Sequence, residues 1–185
     1  ANQPENVQMI KEAFPDKVMI GIWKVVSEGC DVYITPTMKE VEVLRKIGSD
    51  IIAVDGTDRN NCNGRKAYEL IREIKEKYPE QVVMADIATI NDARHSVEAG
   101  ADIISTTLSG YTEDSLDRYA LGTDFDLIEQ IRKEFPEVFI NAEGRIWTRE
   151  EAKKAFECGA DVIVVGTAIT NPMSITKRFV DSIKK

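Results

Sequence analysis

Asp86 and Glu143 each stand seven residues after a proline, Pro79 and Pro136, and Lys24 stands nine after Pro15. Each proline leads into an apolar run that reads as a strand: VMIGI, VVMAD and VFINAE. Seven and nine differ by two, so the three side chains should point to the same face of their strands. Two carboxylates and an amine gathered at strand ends can move protons. One group removes a proton while another delivers one, provided their surroundings hold them in opposite protonation states. A lysine in an enclosed mouth suits base or Schiff-base duty, whereas past the strand it would simply face solvent; the two readings weigh equally here. Asp55, at the end of IIAVD, is a fourth candidate, with hydrogen-bonding or structural roles equally open.

A repeated pattern must position these groups. Aromatic-Pro-acid precedes one set of strands (Phe14-Pro15-Asp16, Tyr78-Pro79-Glu80, Phe135-Pro136-Glu137). Gly-(Ser/Ala)-Asp precedes the other (Gly48-Ser49-Asp50, Gly100-Ala101-Asp102, Gly159-Ala160-Asp161). Copies recur every 52 to 64 residues, enough for two strands and two helices each. Strands are expected over 18–22, 51–55, 82–86, 103–106, 138–142 and 162–165, as continuous apolar runs suited to a parallel sheet covered on both faces. Thr37, Thr89 and Thr148 each precede an acid by three residues (Glu40, Asp92, Glu151) and read as helix N-caps. The Gly-(Ser/Ala)-Asp turns offer left-handed helix stops.

Strand, helix, strand, helix without reversal fits an open doubly wound sheet or a (β/α)8 TIM barrel, and the repetition favours the barrel. Eight strands need four double units; the chain shows three, beginning with a helix inside residues 1–13. The expectation is a single domain, 1–185, that is N-terminally incomplete. The first strand, first helix and second strand, about 40 residues, would lie outside it. Such an arc exposes two strand edges and invites homo-oligomers.

Active sites of these barrels lie at the C-terminal strand ends, and the last two loops commonly bind phosphate through backbone N–H groups. Gly144 in Glu-Gly-Arg and Gly166 in Val-Val-Gly-Thr fall in those loops, and Gly144 suggests close approach of a ligand. The other features read blandly. His95 is expected to face solvent, Trp23 and Trp147 to pack in the core or rim, and Arg72–Lys77 to form a solvated helix face. Asp55, Asp86 and Glu143 could hold magnesium, but Lys24 would compete with a cation, and no His/Cys cluster suggests zinc. The net charge of -8 argues against nucleic acid or anionic membrane as partners. Cys30, Cys62 and Cys158, far apart and odd in number, suggest a reducing compartment without disulfides. No apolar run approaches a membrane span, so a cytoplasmic location is the default expectation.

These residues resemble the N-acylglucosamine-6-phosphate 2-epimerases (N-acetylmannosamine-6-phosphate 2-epimerases). The resemblance runs through Gly21-Ile-Trp-Lys24, Tyr33-Ile-Thr-Pro-Thr37, Ile51-Ile-Ala-Val-Asp55, Met84-Ala-Asp-Ile87 and Thr106-Thr-Leu-Ser-Gly-Tyr-Thr112. Ala142-Glu-Gly-Arg-Ile146 and Val165-Gly-Thr-Ala-Ile-Thr170 complete it. It implies a (β/α)8 barrel interconverting N-acetylmannosamine 6-phosphate and N-acetylglucosamine 6-phosphate in sialic-acid catabolism. Lys24 and Glu143 would be the acid/base residues. Asp86 would orient the substrate, with Asp55 and Arg145 as further substrate-binding candidates. The loops of Gly144, Gly166 and Thr167 would bind phosphate. The chain departs from the family at Asn171, where an arginine normally contacts phosphate; a neutral amide loses that charge-assisted bond. It also shows no counterpart of the polar groups from the family's first two strands.

Epimerisation at C2 of the open-chain sugar needs proton removal beside the C1 aldehyde and delivery to the opposite face. No metal, nicotinamide or pyridoxal cofactor is required. The alternatives are a non-catalytic sugar-phosphate-binding barrel and another phosphate-binding barrel lyase.

Overall fold

The computed structural model describes residues 3–183. Six parallel strands form one sheet in the order β1-β2-β3-β4-β5-β6: β1 (Ile20–Gly21), β2 (Ile51–Asp55), β3 (Val82–Asp86), β4 (Ile103–Ser105), β5 (Phe139–Glu143) and β6 (Val162–Val164). Six principal helices accompany them: α1 (Pro4–Ala13), α2 (Met38–Ile47), α3 (Glu69–Lys77), α4 (Ile90–Glu98), α5 (Phe125–Glu134) and α6 (Arg149–Glu157). A short α7 (Thr167–Thr170) and α8 (Pro172–Ile183) follow β6. Three-ten turns occupy Thr106–Leu108 and Glu113–Leu121 after β4. Among the described residues, no helix is long and apolar enough to cross a membrane.

The apolar runs of β2, β3 and β4 become strands because both their faces are covered, whereas Phe139 of β5 and Val162 of β6 are exposed. One face packs on the helices through Ile52, Val54, Val83, Ala85, Ile104 and Ile140, each at most 1% exposed. The opposite, inner face carries Ala53, Met84 and Ile103, packed with Ile20, Ile51 and Val82. Register places Asp55 beside Asp86, Asp86 beside Ser105, and Ser105 beside Asn141. All four are on the inner face by alternation, as is Glu143, which pairs with Val164.

Two repeated devices set the helix ends. Thr37, Thr89 and Thr148 form capping boxes with Glu40, Asp92 and Glu151, satisfying N–H groups that a helix start leaves unpaired. The aromatic-Pro-acid motif closes the preceding helices. The N–H groups of Phe14, Tyr78 and Phe135 donate to the carbonyls of Ile10, Ile74 and Ile131, and the following proline cannot continue the helix.

The aspartate of each Gly-(Ser/Ala)-Asp triplet has its own repeated task. Asp50, Asp102 and Asp161 accept the N–H of Met19, Val83 and Ile140, each at 2.8 Å, near the start of the neighbouring strand. The same carboxylates pair with Lys11 at 2.7 Å, Lys75 at 3.1 Å and Arg132 at 2.5 Å, on α1, α3 and α5. Three brackets of one design therefore tie helix, strand and turn together at the end of the sheet remote from Asp86 and Glu143.

Two expectations need correction. The first strand was expected over 18–22, but only Ile20–Gly21 pairs with β2. The chain then leaves the sheet for a hairpin: Thr35 donates its N–H to the Trp23 carbonyl at 2.9 Å, and Lys24 bridges Ile34 in antiparallel fashion. Gly21 is needed there because a Cβ would lie 2.2 Å from Ser49 Oγ. Secondly, Cys30 and Cys62 form a disulfide, with Cα atoms 4.4 Å apart. Their distance along the chain is misleading, because neighbouring β1 and β2 bring the following loops together, where Asp31 N–H also donates to the Asn60 carbonyl at 3.2 Å. Cys158 remains a thiol, buried and hydrogen-bonded to Glu129, and burial pushes it up to about 11.

Candidate active site

A cavity of about 620 Å³ opens at the C-terminal ends of the strands, large enough for a small ligand. Lys24, Asp86 and Glu143 all line it, arriving from the β1 hairpin and from the last residues of β3 and β5. The cavity therefore brings together the three groups singled out by spacing, Asp86 and Glu143 through strand alternation. Lys24 is carried by the hairpin rather than by a strand end, with Nζ 5.8 Å from the centre of the Tyr33 ring.

The two carboxylates are under electrostatic tension. Burial raises Asp86 well above the ordinary carboxylate range, the negative charge of Glu143 adds to this, and a 2.8 Å hydrogen bond from Thr107 Oγ1 opposes it. Burial also raises Glu143, against the amide donor of Asn141, the hydroxyl donor of Thr107 and the attraction of Lys24. Like charges in a desolvated space favour retention of a proton. The Glu143 backbone is pinned: its N–H donates to Thr106 Oγ1 at 3.1 Å, and that hydroxyl donates to the Glu143 carbonyl at 2.9 Å.

Gly144 and Arg145 follow with φ of 110° and 57°, so the chain turns sharply beyond the catalytic candidate. The glycine is explained by this left-handed backbone, which a side chain would strain. Arg145 lines the cavity, but its guanidinium also fastens the loop after β4. Nε donates to the Gly122 carbonyl at 2.6 Å, Nη1 donates to that of Ser109, and the group lies 5.4 and 5.6 Å from the ring centres of Tyr111 and Tyr119. Gly166 and Thr167 line the same cavity at the start of α7, where a helix leaves its first N–H groups without carbonyl partners.

Two named candidates lie outside the cavity wall. Asp55, 2% exposed, accepts from Thr57 Oγ1 at 2.6 Å and pairs with Arg59 at 2.5 Å. Asn171 accepts the Ser174 N–H at 3.0 Å and so caps the start of α8. Sequence reasoning passed over Ser105, Thr107 and Asn141, which connect the carboxylates beneath the cavity. Their signal was available: Asn141 stands two residues before Glu143, on the same face. Among the described residues, no group of three or more His, Cys, Asp or Glu side chains is arranged to hold a metal ion. His95 lies away from the cavity on α4, its ring centre 4.8 Å from that of Tyr68.

Comparison with known proteins adds a separate line of observation. A family model, NanE, described as "Putative N-acetylmannosamine-6-phosphate epimerase", matches residues 1–185. A protein of Caldanaerobacter subterraneus subsp. tengcongensis named "Putative N-acetylmannosamine-6-phosphate 2-epimerase" is 48% identical over 185 residues, which are 100% of this chain and 76% of that protein. A protein of the same name from Borreliella burgdorferi is 40% identical, over 100% of this chain and 79% of its own length. A solved structure described as the N-acetylmannosamine-6-phosphate 2-epimerase from Clostridium perfringens superimposes with a TM-score of 0.90 at 40% identity. It covers 99% of this chain and 77% of its own.

Proposed function

Since the chain belongs to the N-acetylmannosamine-6-phosphate 2-epimerase family, we propose that it epimerises N-acetylmannosamine 6-phosphate to N-acetylglucosamine 6-phosphate by proton transfer at C2, without a cofactor. The observation that carries the mechanism is the convergence of Lys24, Asp86 and Glu143 on one cavity. The proton on C2 is acidic when C1 is an aldehyde, so the open-chain sugar is the reacting form. Lys24 and Glu143 reach the cavity from separated elements and address opposite faces of C2, one removing a proton and the other returning one. Asp86, whose burial favours its protonated form, donates to a sugar oxygen as charge develops. The phosphate sits against backbone N–H groups near Gly144, Gly166 and Thr167.

We infer further that β1 to β6 correspond to six consecutive strands of a (β/α)8 barrel. The likeness to the Clostridium perfringens structure supports this. Such a reaction belongs in amino-sugar catabolism, including that of sialic acid. A cytoplasmic setting suits it, because a charged sugar phosphate does not cross membranes unaided.

The test is incubation of the sugar phosphate in deuterium oxide with NMR detection. Deuterium entering C2 together with formation of the epimer supports proton transfer. Binding without exchange would reduce the protein to a sugar-phosphate receptor, and cleavage of the sugar would make it a lyase.

A further inference from the structure

Beneath the cavity, an unbroken line of hydrogen bonds joins the two carboxylates. Thr107 Oγ1 donates to Asp86 Oδ1 at 2.8 Å. Ser105 Oγ and Thr107 Oγ1 are 2.7 Å apart. Asn141 Nδ2 reaches Ser105 Oγ at 2.7 Å and Glu143 Oε2 at 3.3 Å. Ser105 and Asn141 are both 0% exposed, so water does not compete with these bonds.

With Asp86 Oδ1 accepting from Thr107, the chemistry of the donors fixes the direction of the line. A hydroxyl has one proton to give. Thr107 gives its proton to Asp86, so Ser105 must donate to Thr107 and accept from Asn141. The Asn141 amide nitrogen has two protons, and its oxygen acceptors are Ser105 Oγ and Glu143 Oε2, with Met84 Sδ a longer contact at 3.7 Å. Asn141 Oδ1 is buried without a partner, so the orientation of the amide rests on its nitrogen. Turning the amide over would take the donor from Glu143 and set an oxygen near its carboxylate. The line also requires Asp86 Oδ1 to be an acceptor, so a proton on Asp86 resides on Oδ2. Oδ2 makes no hydrogen bond to the described residues and is left for the cavity.

We propose that Asn141, Ser105 and Thr107 are positioning residues that bind Asp86 and Glu143 into one unit, aligning Glu143 for proton transfer and directing the Asp86 proton towards the substrate. The proposal rests on the epimerase reading for its catalytic consequence, but its physical content is the coupling of two carboxylates. The charged groups facing the pair are Lys24 beyond β1, Asp55 with its partner Arg59 at β2, and Arg145 next to Glu143. On the inner face, β4 supplies only neutral hydroxyl and apolar groups, and β6 supplies valines.

Ser105→Ala is the decisive variant, because Ser105 hydrogen-bonds to neither carboxylate and the change removes only one oxygen. NMR titration of carbon-13-labelled side-chain carboxyls should show both Asp86 and Glu143 titrating at altered pH in Ser105→Ala, with Ser105→Thr restoring the original curves. Asn141→Ala should raise the Glu143 transition, since a donor to the charged form is lost. In turnover, Ser105→Ala and Asn141→Ala should each lower kcat about 10-fold or more, a fraction of the 10²- to 10⁴-fold supplied by a whole acid or base. KM should change less than threefold. The double variant should be no slower than Asn141→Ala, because both cut one line. Unchanged carboxyl titrations in Ser105→Ala would overturn the proposal whether or not the protein turns over. Altered titrations in a protein that exchanges no deuterium would uphold the coupling and reject the epimerase reading.

Discussion

Replacing Asp102 separates the parts of one bracket. Its Oδ2 accepts the Val83 N–H at 2.8 Å and faces Lys75 Nζ at 3.1 Å, and the paired side chains are 38% and 22% exposed. Asp102→Ala leaves a partly buried backbone N–H without its charged acceptor, a loss of about 1.5–3 kcal/mol. The half-exposed ion pair is screened and adds about 0.5 kcal/mol. The sum, about 2–3.5 kcal/mol, corresponds to a fall in Tm of roughly 4–14 °C for a chain of this size. Asp102→Asn keeps a carbonyl for Val83 and loses only the charge, so it should cost about 1 kcal/mol or less. Urea unfolding followed by circular dichroism measures both. Activity per folded molecule should stay within about twofold for each, since the bracket lies at the end of the sheet away from Asp86 and Glu143. Equal losses in the two variants would show that the backbone acceptor is not what Asp102 contributes, and a loss below 0.5 kcal/mol in Asp102→Ala would refute the bracket altogether.

Three further outcomes test the site. Lys24→Ala and Glu143→Gln should each slow turnover by about 10²- to 10⁴-fold while remaining folded; near-normal rates in both would remove them from the chemistry. Asp86→Asn should stabilise the protein increasingly as pH rises above about 4, the ordinary range of an unfolded aspartate. Burial raises the folded Asp86, so the native state binds more protons than the unfolded state across that window, and stability falls with rising pH. Thermal melts from pH 4 to pH 8 with a constant difference between variant and parent would contradict this. Asn171→Arg should tighten binding of the 6-phosphate sugar roughly tenfold, about 1.4 kcal/mol, without changing binding of the unphosphorylated sugar. Unchanged calorimetric affinity for the phosphate ester would show that the anion is held elsewhere; Arg178, 4.7 Å from the Trp147 ring centre, would be the next cation to substitute.

The strands and threonine caps were legible because each follows from a local rule: apolar runs, and an acid three residues after a hydroxyl. The facing of Asp86 and Glu143 was legible for the same reason, since alternation needs only counting. Cross-strand relations were not. The Cys30–Cys62 bond depends on two loops meeting above adjacent strands. Asp50, Asp102 and Asp161 read only as parts of turns until the neighbouring strands supplied their N–H groups. Ser105, Thr107 and Asn141 are neutral and ordinary in strands or turns, so composition gave them no prominence; counting could put Asn141 on the face of Glu143, but only register set Ser105 between Asp86 and Asn141. Lys24 shows the limit of counting, because the local backbone proved to be a hairpin.

The bond between Cys30 and Cys62 changes the connectivity of the molecule as well as its contacts. It closes a covalent ring around α2 and β2, with 32 positions separating the two sulfur-bearing residues. A protease cutting once inside that ring, for instance after Arg59, would open the ring without releasing a fragment. The two halves would part on a denaturing gel only after a reductant was added. One severed peptide bond would thus leave a single molecule with two additional chain ends.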